Sequence, residues 1–282
     1  MAMIAVLGTG HIGGSMAENL LQKGHTVRVW NRSPEKLAPL VQKGAIAGKD
    51  PADTVRECER VHLALKSDDA VDAVIALLRK GLGKDVFVID HSTSLPARVA
   101  TRFAQLRGSG VRYLSAPVFM SKQNCRDASG LMLIAGPKAD ADALQAPLST
   151  MTGKVWHTGE RADLAAFYKL AGNAILMSMV GALGDLFLMA KHNGISNEQV
   201  LSLFEVWKPG AALPYLGKNL LTAGADKANF ELGMARKDMQ LMIDATGKMP
   251  TILLHALAAA MDKALVDGLC QADFAVFARQ DR

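Results

Sequence analysis

The sequence predicts an α/β protein in two parts: an N-terminal doubly wound parallel sheet, and a C-terminal all-α domain joined to it by a long helix. Three observations carry this. Over roughly the first 160 residues, short β-rich runs alternate with segments of helical length, the pattern of a parallel sheet covered on both faces. After about Arg161 the β-rich runs stop, and Ala, Leu and Met dominate segments punctuated by Gly194, Pro209, Pro214, Gly247 and Pro250. The chain has 282 residues, 50% hydrophobic and 21% charged, which suits two globular domains and excludes a fibrous or disordered chain. The expected domains are residues 1–160 and 161–282.

Strands are expected at Met3–Leu7, Thr26–Trp30, Arg60–Leu65, Val86–Asp90 and Leu131–Ala135, with a weaker one at Val111–Leu114. Helices should begin near Ile12, Pro34, Asp68, Leu95 and Ala139, with Pro34 in a first turn capped by Ser33. The segment from Ala162 to about His192 would make a helix about 45 Å long, enough to span both domains. Its apolar residues cover most of its circumference, so it reads as a buried helix, packed in part against another subunit. Asn173 and Asp185 interrupt its most apolar stretch, Leu170 to Ala190, which argues against a membrane span.

Charge and cysteine content narrow the function. The 32 basic and 27 acidic side chains give a net charge of +5, with no block of one sign, so no nucleic-acid arm is expected. Cys58, Cys125 and Cys270 are too scattered for a metal knuckle and too few for a disulfide framework, which points to a reducing, cytoplasmic setting. The N-terminus has no basic region before its apolar run, and so reads as a buried strand rather than a targeting peptide.

The first strand runs into Gly8-Thr9-Gly10-His11-Ile12-Gly13 and then a helix. One glycine makes the tight turn, the second lets the backbone approach a pyrophosphate, and the third packs helix on strand. The amides at the helix N-terminus then hold the anion, which defines a Rossmann-type dinucleotide site. His11 is a bystander whose side chain can touch the ligand. The second strand ends in Asn31-Arg32-Ser33, where an NAD site would place an acid on the ribose. Arg32 can grip a 2′-phosphate, with Asn31 and Ser33 adding neutral hydrogen bonds, so NADP(H) is expected over NAD(H).

A nicotinamide cofactor needs a group to handle the proton as hydride moves. No HExxH pair or Cys/His cluster is present, so no metal is expected. His62, His91, His157, His192 and His255 read as structural residues. Lys169 and Asn173 stand on one face of the long helix. A lysine among apolar neighbours has a lowered pKa and can protonate a carbonyl oxygen, while Asn173 fixes the amine or orients the substrate.

Several segments together resemble the β-hydroxyacid dehydrogenase family, which includes 3-hydroxyisobutyrate dehydrogenases and glyoxylate/succinic semialdehyde reductases. They are the glycine loop, Asp90-His91-Ser92-Thr93-Ser94-Leu95-Pro96, Ala116-Pro117-Val118, the Lys169/Asn173 pair, and Phe230 through Lys237-Asp238. The resemblance spans almost the whole chain. It implies that Lys169 is the catalytic lysine and Asn173 its partner, that Thr93 and Lys237 line the nicotinamide end of the cleft, and that Leu65 and Lys66 pass the cofactor. The family's serine and first glycine after the Ala-Pro-Val segment, which bind a substrate carboxylate, are replaced here by Phe119 and Met120. That favours a bulkier or less polar substrate, with Ser121 and Lys122 able to recover an anion. Side chains around Trp207 and Tyr215 are further pocket candidates, although such aromatics are more often core.

The expected activity is reduction of a small aldehyde or keto acid, or oxidation of its alcohol, by a homodimer or homotetramer. Two alternatives remain: an imine reductase-like enzyme, which shares the architecture but generally carries another residue at the lysine position, and a non-catalytic NADPH-binding module.

Overall fold

The computed structural model describes residues 1–223, 228–247 and 249–279, so the last three residues of the expected second domain lie outside the described residues. The chain divides into two compact units, Met1–Asn173 and Ala174–Arg282.

A nine-stranded sheet organises the first unit. β1 (Met3–Leu7), α1 (His11–Gln22), β2 (Thr26–Trp30), a 3₁₀ turn (Pro34–Leu37), α2 (Ala38–Val41), β3 (Ile46–Ala47), α3 (Pro51–Thr54) and β4 (Arg60–Leu63) come first. They are followed by α4 (Asp68–Leu78), β5 (Phe87–Asp90), α5 (Pro96–Gly108), β6 (Arg112–Ser115), β7 (Val118–Phe119) and α6 (Lys122–Arg126). β8 (Leu131–Ala135), α7 (Lys138–Ser149) and β9 (Lys154–Gly159) complete the sheet, and α8 (Leu164–His192) runs on into the second unit.

The strand order is β3-β2-β1-β4-β5-β6-β8-β7, with β9 on β8. β1 to β6 pair in parallel, whereas β8 is antiparallel to β6 and β7. The chain order reverses at β1, which lies between β2 and β4, and this opens a crevice at the carboxyl ends of the strands. Both faces of β1 are covered: Ile4 and Val6 pack with Met16 and Leu20, while Ala5 and Leu7 pack with Val61, Leu63 and Val71. Burial on both faces is why the strand reads as an unbroken apolar run.

β1, β2 and β8 begin and end where the sequence places them. β4 stops at Leu63 rather than Leu65, because the next residues turn over the glycine loop, and the weak Val111–Leu114 strand lies one residue further on. The structure adds β3, β7 and β9, which were not expected: β3 and β7 are two residues long and show no alternation to read, while β9 has six residues, none of them buried, and so no apolar run to mark it. Pro34 opens a 3₁₀ turn rather than an α-helix, and the Ser33 side chain makes no cap bond, correcting that expectation.

The second unit continues α8 and adds α9 (Asn197–Val206), a 3₁₀ turn (Pro209–Ala212), α10 (Leu213–Thr222), α11 (Leu232–Asp244), α12 (Leu254–Val266) and a final 3₁₀ turn (Phe274–Ala278). Leu232, Ala235, Met239 and Ile243 of α11 meet Ala258, Met261 and Ala264 of α12 in its core. Asp185 of α8 is buried, and its carboxylate accepts the backbone N–H groups of Ile252, Leu253 and Leu254 at 2.7, 2.8 and 3.0 Å. It satisfies donors at the N-terminus of α12 that have no partner within their own helix.

α8 is long and apolar enough, by length and composition, to cross a membrane. Within this single chain it is not the buried helix expected from its composition: Met177 is 71% and Val180 70% exposed. Trp207 and Tyr215 are also more than half exposed, so neither belongs to a core.

Candidate functional site

The loop between β1 and α1 shows why each glycine is needed. Gly8 has φ +93°, and a Cβ there would lie 2.4 Å from the Ala64 carbonyl oxygen. At Gly13 a Cβ would lie 2.0 Å from the Gly8 carbonyl oxygen, so α1 packs directly on the turn. At Gly10, the N-cap of α1, a Cβ would meet nothing within 4 Å. Only at Gly10 is the space before the helix N-terminus open, as a pyrophosphate requires. The buried Thr9 hydroxyl beside it has no hydrogen-bond partner. The residues present therefore fit a dinucleotide.

Asn31 Oδ1 accepts the Thr9 N–H at 3.2 Å, and Asn31 Nδ2 donates to the Ser33 carbonyl at 3.0 Å. Its carboxamide thus ties the end of β2 to the glycine loop. Arg32 is exposed and makes no hydrogen bond or ion pair among the described residues, and Ser33 is half-buried. A hollow of about 390 Å³ in front of α1 is bordered by Thr9, Gly10, His11, Gly14, Lys36, Lys122 and Arg126. Ile12 is half-buried and packs against the sheet core. Lys36 and Arg126 were missed by the sequence reading, since nothing local marks them as facing this loop.

Lys122 therefore stands with the glycine loop. α6 is held on α1 by Asn19 Nδ2, which donates to the Arg126 carbonyl at 2.9 Å, and by the Arg126–Glu18 ion pair at 2.7 Å. Ser121 caps α6: its hydroxyl accepts the Asn124 N–H and donates to Asn124 Oδ1. That hydroxyl is committed to a capping box, a role its spacing to Asn124 could have signalled. Met120 packs against the sheet core rather than standing clear in a pocket.

The loops after β4 and β5 are joined. Leu65 N–H donates to Ser92 Oγ at 2.9 Å, and the Leu65 side chain lies against Gly8. Ser92 N–H donates to the buried Asp90 carboxylate at 2.9 Å, which also accepts the Tyr113 hydroxyl. Lys66 and Thr93 are exposed on these loops.

His62 and His91 form a buried chain beneath them. A carbonyl only accepts, so His91 Nδ1 donates to Ala116 O at 2.7 Å, leaving His91 Nε2 to accept from His62 Nδ1 at 2.8 Å. His62 Nε2 then accepts from Arg60 Nε at 3.3 Å. Burial pushes His91 down to about 4, and burial together with His91 and Arg60 holds His62 well below the ordinary range. Both rings are neutral structural ties across the ends of β4, β5 and β6.

Lys169 and Asn173 meet as the helical spacing predicts: Lys169 Nζ donates to Asn173 Oδ1 at 3.0 Å. Burial lowers the Lys169 amine from its ordinary pKa. The same amine lies 4.2 Å from the centre of the Phe119 ring. Lys237 belongs to the second unit, where it is exposed on α11 and pairs with Asp238 at 3.0 Å. Among the described residues no group of three or more His, Cys, Asp or Glu side chains could hold a metal ion.

Residues 3–159 match the family model of the NAD binding domain of 6-phosphogluconate dehydrogenase. Glyoxylate/succinic semialdehyde reductase 1 of Arabidopsis thaliana is 28% identical over 284 residues, 96% of this chain and 95% of that protein. The uncharacterized oxidoreductase YfjR of Bacillus subtilis is 27% identical over 252 residues, 87% of each chain. The solved imine reductase of Streptomyces aurantiacus shares the fold, with a TM-score of 0.89 and 19% identity over 99% of both chains. The matched nucleotide domain and the relatives named reductases and oxidoreductases make this chain an oxidoreductase dependent on a pyridine nucleotide. The chain belongs to the family of the 6-phosphogluconate dehydrogenase NAD binding domain and is a member of the β-hydroxyacid dehydrogenases.

Proposed function

We propose that this chain is an NADP(H)-dependent reductase that interconverts a small aldehyde or keto acid and its alcohol or hydroxy acid, with Lys169 as general acid and base and no metal. The observation that carries this reading is the half-buried Lys169 amine held by Asn173 at 3.0 Å. A reduced nicotinamide, when bound, supplies the hydride. The Lys169 ammonium donates its proton to the carbonyl oxygen as negative charge develops there, and in reverse the amine takes the hydroxyl proton. A lowered pKa eases that transfer near neutral pH. Asn173 accepts from Lys169 through Oδ1, and its amide nitrogen, on the same group, can donate to the substrate oxygen.

The preference for NADP(H) is supported by Arg32, exposed at the end of β2 where no acid would repel a 2′-phosphate. In this reading the glycine loop, Asn31, Arg32, Ser33, Leu65, Lys66 and Thr93 hold the cofactor within residues 1–160, and residues 161–282 serve substrate and assembly. The apolar face of α8 around Met177 and Val180 supports a homodimer or homotetramer, and the three scattered cysteines support a reducing, cytoplasmic setting.

The test is NADPH oxidation against a panel of small aldehydes and keto acids, repeated with Lys169→Ala. Loss of about 10²- to 10⁴-fold in kcat with NADPH affinity retained is expected; an unchanged rate overturns the role of Lys169. Arg32→Ala should weaken NADPH and leave NADH unchanged. A second reading, reduction of cyclic imines, is favoured by the apolar Phe119 where the family carries a serine. Imine turnover that survives Lys169→Met would support it.

A further inference from the structure

Phe119 replaces a polar residue of the family, and its surroundings explain what the ring does. It lies on β7, paired in register with Leu131 of β8, and packs against Leu133, Ala135 and Ala165. That packing leaves the ring little freedom. On α8, Lys169, Gly172 and Asn173 share one face, being three and four positions apart. A Cβ at Gly172 would stand 2.3 Å from Phe119 Cζ and 2.7 Å from Cε1. The ring therefore occupies the space that glycine leaves, and any larger residue at 172 would drive it out. In this seat its face lies 4.2 Å from Lys169 Nζ, well within the range of about 6 Å over which a ring quadrupole attracts a cation.

We propose that Phe119 is the positioning residue for Lys169: seated over Gly172, its ring face holds the ammonium beside Asn173 and favours the charged amine. The proposal rests on the reading of Lys169 as proton donor. Two opposed effects act on the amine. Burial disfavours its charge, and the ring favours it. Phe119 from β7 and Asn173 from its own helix both contact it and both are uncharged, and burial lowers its proton affinity. An apolar side chain without a ring would keep the burial and lose the attraction. The family's serine gives way here to a group that holds the acid instead of the substrate.

The experiment measures the amine directly. Purified full-length chain without cofactor is labelled competitively with acetic anhydride across a pH series, and acetylation of Lys169 is read by mass spectrometry of its peptide. Phe119→Leu should lower the half-labelling pH by about half a unit or more, and Phe119→Tyr should return it to the wild-type value. Gly172→Ala, which favours helix and displaces the ring, should move it the same way as Phe119→Leu, and decides the matter if the leucine variant fails to fold. In active variants the falling limb of kcat against pH should shift down by the same amount. A half-labelling pH unchanged in Phe119→Leu, or in Gly172→Ala where the leucine variant does not fold, overturns the proposal, as does a Phe119→Tyr variant matching Phe119→Leu. Labelling needs no turnover, so full activity in Lys169→Ala would sink the catalytic reading without deciding this one.

Discussion

The two units treat the same kind of residue in opposite ways. In the first, Ile4, Leu7, Met16, Leu20, Leu63, Leu78 and Ile89 are sealed from solvent between the sheet and its helices. In the second, α9 and α10 bury no residue, and Leu221 and Val266 are more than four-fifths exposed. A parallel sheet with helices on both faces closes its own core, because every strand is covered twice. The helices of the second unit enclose a smaller core between α11 and α12 and leave the apolar residues of α9 and α10 uncovered within the chain. The nucleotide loop accordingly stands on the self-sufficient unit, where the turn needs a rigid base.

Substitutions can break or sharpen this contrast. The largest effect is expected at Leu20→Ala, which should cost about 2–5 kcal/mol in urea unfolding, since the sheet core cannot relax around the void. A loss under about 1 kcal/mol there would remove the basis of the comparison. Next comes acid. His91 is held at about 4 in the fold against 6.5 unfolded, so the unfolded chain binds more protons between those values. Stability is then full above pH 6.5 and falls as pH drops toward about 4, by a total on the order of 3 kcal/mol. Unfolding midpoints that stay level from pH 6.5 to 4.5 would contradict the buried histidine chain.

In the second unit the largest single effect should come from Asp185→Asn, at about 1–3 kcal/mol, because the amide nitrogen cannot accept the α12 donors that the carboxylate serves. The smallest is expected at Val180→Ser: within about 0.5 kcal/mol for the isolated chain, with weaker self-association by sedimentation. Destabilisation of Val180→Ser as severe as that of Leu20→Ala would show that α8 is as buried there as α1.

How much could be read in advance depended on how local each feature is. Gly8, Gly10 and Gly13 were legible because strand, turn and helix are contiguous, and the turn's geometry calls for glycine by itself. Lys169 and Asn173 were legible through the helical repeat. Ser121 carries a readable capping signal in its spacing to Asn124. β7 offered two residues and no pattern. Gly172 gave no sign at all, since its role depends on a ring far away in the chain.

The alternation of the longer strands and helices, the phosphate turn and the amine with its amide partner follow from sequence alone, because each is set by periodicity or by contacts within a few residues. The seat of the Phe119 ring, the histidine chain under three strand ends, the siting of Lys122 near the phosphate turn and the exposure of α8 emerged only with the tertiary structure. Each depends on which distant segments the folded sheet brings within a few ångströms, and no local pattern encodes that proximity.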